Sequence, residues 1–132
     1  MDVLLAGDAE MAAALASALG ELGLGGTHAA DEPSLAESLV SLESFIQAER
    51  PNLAVGVGSG EAALALAVTA PKLDVPFTAW LAADERPDER RILETLSLDE
   101  LPAHEGAADE TAERIAAWLA VKTPQRDLDS DA

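Results

Sequence analysis

The chain has 132 residues, 25 of them acidic against 8 lysines and arginines, and a net charge of −17. Nucleic acids and anionic membranes attract clustered cations; the only adjacent pair here is Arg90-Arg91, which excludes both as partners. The absence of cysteine removes disulfides, thiolate metal sites and cysteine nucleophiles, and no run of about 18 apolar residues is present to span a bilayer.

Asp2-Val3-Leu4-Leu5-Ala6-Gly7 reads as a buried strand, a short apolar run stopped by glycine. Asp8 then caps a helix from Ala9 to about Leu22, with Met11, Leu15, Ala18, Leu19 and Leu22 at helical spacing. Thr27 to Ala30 is a weak second strand. Asp31-Glu32-Pro33-Ser34 opens a helix whose apolar face is Leu35, Leu39, Leu42, Phe45 and Ile46, and Pro51 ends it. Leu53 to Val57 is the third strand, Gly58-Ser59-Gly60 a tight turn, and Glu61 to about Thr69 the helix behind it. Phe77 to Leu81 is the fourth strand. Asp84 to Asp88 is a charged loop, and Glu89 to about Leu96 a helix. Ser97 to Gly106 reads as irregular, and Asp109 to Lys122 as the last helix, apolar at Ile115, Trp118, Leu119 and Val121.

Strands alternating with helices predict an α/β fold with right-handed crossovers. The expectation is a three-layer, doubly wound, Rossmann-like parallel sheet of about four strands in the order 2-1-3-4. One domain over residues 1–123 and an acidic, disordered tail over 124–132 complete it. Apolar residues are 48% of the chain, with two Phe, two Trp and no Tyr, so the core must be Ala, Leu and Val on closely packed helices. The acidic start, Met1-Asp2-Val3, does not fit a secretory signal, and a cytoplasmic location is expected. The charge fits either a basic partner or solubility through self-repulsion, and the second is favoured. Lysine is rare, at Lys72 and Lys122 only, which suits a salt-adapted or GC-rich source.

In open α/β sheets ligands bind beyond the carboxyl ends of the strands, where strand order reverses. In the expected order that point lies between strands one and three. Two loops meet there, Gly7-Asp8-Ala9-Glu10 and Gly58-Ser59-Gly60-Glu61, and these eight residues are the candidate ligand site. Glycines let a ligand approach the backbone, and amides at a helix start favour anions. Gly56-x-Gly58-x-Gly60 is not the dinucleotide pattern G-x-G-x-x-G, and neither loop holds a cation; a plain tight turn is the bland account of these glycines.

The segment Ser41 to Leu81 carries a family signal. Leu42-Glu43-Ser44-Phe45-Ile46-Gln47-Ala48-Glu49-Arg50-Pro51-Asn52-Leu53-Ala54-Val55, then Gly58-Ser59, an Ala-rich helix and Val75-Pro76 before a strand, resembles the UDP-N-acetylglucosamine 2-epimerase family, which shares its two-domain fold with nucleotide-sugar glycosyltransferases. The resemblance implies one Rossmann-like half of such an enzyme, with a nucleotide or nucleotide sugar as ligand. It carries no catalytic residue across. Ser59 stands where the family has an Asp, Gly60, Glu61 and Ala62 where it has threonines, and Ala79 and Leu81 where it has H-x-E. The first loop lacks the family's Arg and Pro.

Other chemistry is sparse. His28 and His104, the only histidines, lack H-x-x-E or H-x-H spacing and read as surface residues. Acidic pairs such as Asp84/Glu85, Asp88/Glu89 and Asp99/Glu100 read as solvated. Asp8 is first of all a helix cap, and a Mg²⁺ site beside it has no support. Ser59 lies at a strand-to-helix turn, but Gly58-Ser59-Gly60 is not G-x-S-x-G. No cofactor, metal or catalytic residue is expected.

The third helix has no charge between Glu61 and Lys72. A helix apolar all round is covered on all sides, and the last helix or a second copy of the chain is expected to cover it. Leu64, Ala65 and Val68 are the candidate interface of a homodimer or homo-oligomer. Two function classes follow: a non-catalytic interaction or self-assembly module with a small ligand at the glycine loops, or a small nucleotide-sugar-binding enzyme that needs a partner subunit.

Overall fold

A computed structural model of the chain describes residues 2–28, 35–58, 60–83 and 86–122. The elements are β1 (Val3–Gly7), α1 (Ala9–Glu21), β2 (Gly26–His28), α2 (Leu35–Glu49), β3 (Leu53–Val57), α3 (Glu61–Lys72), β4 (Phe77–Leu81), α4 (Pro87–Leu96), β5 (His104–Glu105) and α5 (Ala108–Lys122). The strands form one all-parallel sheet in the order β2-β1-β3-β4-β5. The expected 2-1-3-4 order is present, extended by a fifth strand.

Every residue of β1, β3 and β4 is buried, as suits parallel strands covered on both faces. Alternation then sorts their side chains. Val3, Leu5, Val55, Val57 and Trp80 face α1 and α5, where they meet Leu15, Leu19, Ile115 and Leu119. Leu4, Ala6, Ala54, Phe77 and Ala79 face α2, α3 and α4, where they meet Ile46, Leu66 and Leu93. The three layers are thus two helices, the sheet, and three helices.

Five expectations need correction. The segment Ser97 to Gly106 is not wholly irregular, because His104 and Glu105 pair with Trp80 and Leu81 as β5. Tertiary bonds place this short edge: the Thr78 hydroxyl donates to the Leu101 carbonyl at 2.6 Å and the Trp80 indole N–H to the Gly106 carbonyl at 3.0 Å. α4 starts at Pro87 rather than Glu89, since proline suits a first helical position whose N–H has no partner in the helix. α3 runs on to Lys72. Its cover comes from α2 and α4, while α5 lies across the sheet against α1. Ala65 is fully buried within the chain and offers no surface, whereas Val68 is 58% exposed and Leu64 is half-buried. Ala29 and Ala30 of the expected second strand, and the expected tail over 124–132, lie outside the described residues.

Candidate functional site

Strand order reverses between β1 and β3, so the two crossovers leave in opposite directions and their first loops stand side by side. The contact is made by backbone. β1 ends at Gly7, whose φ of +138° L side chains rarely adopt, and a Cβ there would lie 1.9 Å from the Val57 carbonyl oxygen. The next amide, Asp8 N–H, donates to that same oxygen at 2.9 Å. Gly58 closes the other side: its N–H donates to the Trp80 carbonyl at 2.8 Å, and at φ +69° a Cβ would press on Asp8 Cβ at 3.2 Å and Met11 Sδ at 3.3 Å. Gly7 and Gly58 are therefore required by packing between the loops.

The side chains at this rim are few and acidic. Asp8 Oδ1 accepts from the Met11 N–H at 2.9 Å, so its carboxylate caps α1. Asp8, Ala9, Glu10 and Glu61 are exposed. α3 opens on Gly60, which supplies no side-chain hydrogen bond, and among the described residues, its chain neighbours aside, no atom lies within 4 Å of where its Cβ would be. Seven of the eight candidate residues thus gather at one place, and Ser59 lies outside the described residues. Among the described residues no group of three His, Asp or Glu comes together to hold a metal. The same upper edge carries mixed charge further along, where Arg86, Asp88, Glu89, Arg90 and Arg91 begin α4 after β4. Arg90 is held by Glu105 at 3.2 Å and Glu94 at 3.5 Å.

His104 corrects the surface reading. Its side chain is only 18% exposed. The Arg114 guanidinium donates to its Nδ1, and Glu110 Oε2 lies 3.8 Å from its Nε2. A nitrogen that accepts from arginine carries no proton, so the ring is neutral with its hydrogen on Nε2. Burial and the Arg114 charge both hold the imidazole below its usual pKa, against a smaller upward pull from Glu110. Glu110 and Arg114 are one helical turn apart, but that spacing points to histidine only once β5 is known. The His28 side chain, Asp84 and Glu85 lie outside the described residues. Glu100 is exposed and bonded to Lys122 at 2.7 Å; that bond and charge lower its pKa.

The order of strands, the buried glycine contact and the helix layers together define a fold that can be compared with solved proteins. S. aureus MnaA, in a co-structure with UDP, is similar with a TM-score of 0.59 and 19% identity over 89% of this chain. UDP-GlcNAc 2-epimerase from Neisseria meningitidis, bound to UDP-GlcNAc, is similar with a TM-score of 0.56 and 18% identity over 89%. The fold resembles one part of a UDP-GlcNAc 2-epimerase. The Vibrio vulnificus NanR protein complexed with ManNAc-6P is also similar, with a TM-score of 0.55 and 15% identity over 94% of this chain. The chain spans 40% of the S. aureus protein, 43% of the N. meningitidis protein and 51% of the V. vulnificus protein. No family model matches the chain, and no curated protein matches it in sequence. Among the described residues no helix is long and apolar enough to cross a membrane.

Proposed function

We propose that the chain is a non-catalytic binding half-domain, which receives a ligand of the nucleotide-sugar class at the β1/β3 rim. The observation that supports this most directly is the backbone-to-backbone seating of the Gly7 and Gly58 loops at the switch point, in a fold similar to 40% of a protein solved with UDP. The rim offers backbone amides and open space at Gly60, features suited to a phosphate. Against that stand Asp8, Glu10 and Glu61, whose charges repel an anion. Binding by the chain alone is therefore weak and helped by Mg²⁺. Among the described residues no histidine, cation or paired acid at the rim is arranged to move a proton.

Thermal melting with UDP and UDP-GlcNAc, each with and without Mg²⁺, tests this. With a dissociation constant of about 1 mM, 10 mM ligand stabilises the folded chain by about 1.4 kcal/mol, or about 5 °C for a domain of this size. An unmoved melting point with every ligand overturns the proposed binding. Epimerisation of UDP-GlcNAc by the chain alone overturns its non-catalytic character. A second reading, an enzyme completed by a partner subunit, draws on the similarity to 43% of a UDP-GlcNAc-bound epimerase. Turnover that appears only when a candidate partner chain is added would favour it.

A further inference from the structure

The edge strand β5 is only two residues long, and one side chain on it can change its charge with pH. Trp80 and His104 are partners in the β4–β5 ladder, so their side chains share a face of the sheet, the face that α5 covers. There the Arg114 guanidinium donates to His104 Nδ1. The ring also lies against the backbone of Gly106: a Cβ on that glycine would be 2.8 Å from Nε2 and 3.2 Å from Glu110 Oε2. Among the described residues Nε2 has no hydrogen-bond partner, and Glu110 stands out of reach at 3.8 Å.

This arrangement has no room for a second proton. The ring would gain it at Nδ1, since Nε2 already carries a hydrogen. An N–H would then face the Arg114 N–H groups, and a cation would face a cation, at a side chain only 18% exposed. Glu110 pulls the other way, because an imidazolium gains a partner by turning its Nε2–H toward that carboxylate. Arg114 and Glu110, both from α5, are the charged groups that act on the ring. Glu105 is turned to the opposite face, where it pairs with Arg90 of α4, and Glu100 is bonded to Lys122. Neutral and protonated His104 thus call for two different packings against Gly106.

From Gly106 direct contacts lead to the rim. Its carbonyl accepts the Trp80 indole N–H at 3.0 Å, and the Trp80 carbonyl accepts the Gly58 N–H at 2.8 Å. We infer that the His104–Arg114 contact is an acid-sensitive latch: protonation of His104 expels Arg114, shifts Gly106 and loosens the hold of Trp80 on the Gly58 loop.

Heteronuclear NMR of the full chain from about pH 7.5 to about pH 5, above the usual carboxylate range, tests this. The Trp80 indole N–H resonance is expected to move together with the His104 ring signals. The exchange protection of the Gly58 amide, taken relative to Val55 in the middle of β3, is expected to fall about fivefold or more, since each unit by which opening raises the histidine pKa is a factor of ten. His104→Gln keeps an acceptor for Arg114 but does not titrate, so both signals should stay constant. Arg114→Met removes the opposing cation, so the ring should titrate at higher pH with little change at Gly58. His28 is present in every variant and cancels. Circular dichroism checks folding; if His104→Gln is unfolded, Arg114→Met decides. Wild-type signals that stay put throughout the window overturn the proposal. So does an equal movement in His104→Gln, or a movement at Trp80 that stops short of Gly58. No ligand enters the measurement, so its failure is separate from that of the UDP titration.

Discussion

Gly7→Ala tests the geometry on which the rim depends. The added methyl carbon would lie 1.9 Å from the Val57 carbonyl oxygen, which already accepts the Asp8 N–H at 2.9 Å. Observed Cβ contacts essentially never fall below 3.0 Å, so the ends of β1 and β3 must separate by more than an ångström. That movement takes place in the middle of the sheet, where both strands are buried on both faces. The backbone strain at φ +138° adds about 1–3 kcal/mol, and loss of the Asp8 to Val57 bond about 1 kcal/mol. A cost of about 2–4 kcal/mol follows, a large part of the roughly 5–15 kcal/mol that holds an ordinary domain together. It corresponds to a fall of about 7–14 °C in melting temperature. Gly60→Ala is the control: its φ of +119° is also strained, but among the described residues, its chain neighbours aside, nothing lies within 4 Å of the new methyl, so only the backbone term applies. Urea unfolding followed by the fluorescence of buried Trp80 measures both. If Gly7→Ala costs less than about 1 kcal/mol, or no more than Gly60→Ala, the two loops are not in contact as described.

Three further outcomes are expected. Thr78→Val removes the hydroxyl that donates to the Leu101 carbonyl at 2.6 Å, at a residue only 4% exposed; an unpaired buried carbonyl costs about 1–2 kcal/mol, read as a lower urea midpoint, and an unchanged midpoint would remove this bond from what holds the segment before β5. The neutral form of His104 is favoured in the folded chain, so its contribution is complete above the unfolded value of about 6.5 and is lost as pH falls through the lowered folded value. Melting temperatures measured across that range in high salt should therefore drop toward acid, and His104→Gln should flatten the slope; equal slopes would mean that the ring is not buried beside Arg114 as described. At a net charge of −17, raising NaCl from about 0.1 to 1 M shortens the Debye length from about 10 to 3 Å and should raise the melting temperature, whereas a fall would show that attractive pairs such as Lys122–Glu100 outweigh self-repulsion.

The parts of the fold readable from sequence were those whose physics is local. Leu53–Val57 and Phe77–Leu81 are apolar runs because parallel central strands are buried on both faces, and Pro51, Gly58 and Pro76 mark their ends. The order 2-1-3-4 was the expectation for a doubly wound sheet, and it is present in the sheet. β5 was not readable, because two residues with one side exposed carry no periodicity, and its place is set by Trp80 and Thr78 on a different strand. The same reason hid His104, whose partners Glu110 and Arg114 come from α5. At the candidate site the adjacency of the two loops was legible from topology. That Gly7 sits against the Val57 carbonyl was not, since no feature of the sequence records how close two strand ends come. The uncharged α3 is flanked by α2 and α4 but not covered on all sides, since Val68 is 58% exposed; pattern alone could not distinguish α2 and α4 from α5 as its neighbours, nor show that Ala65 lies buried.

The placement of charge joins the rim and the proposed chemistry. At the lower ends of the helices Lys72 and Lys122 complement the carbonyl-rich termini of α3 and α5, and so are committed to the scaffold. At the upper edge the acids Asp8, Glu10 and Glu61 surround the β1/β3 loops, while Arg86, Arg90 and Arg91 stand beyond β4 interleaved with Asp88 and Glu89. A diphosphate at the switch point would therefore meet amides in a negative field, with arginines only to one side. Catalysis on a nucleotide sugar needs positive charge where the leaving phosphate develops its own, and a helix start alone supplies about half a unit charge. If the chain takes part in such a reaction, the missing positive charge must come from Mg²⁺ or from a second protein surface facing the rim.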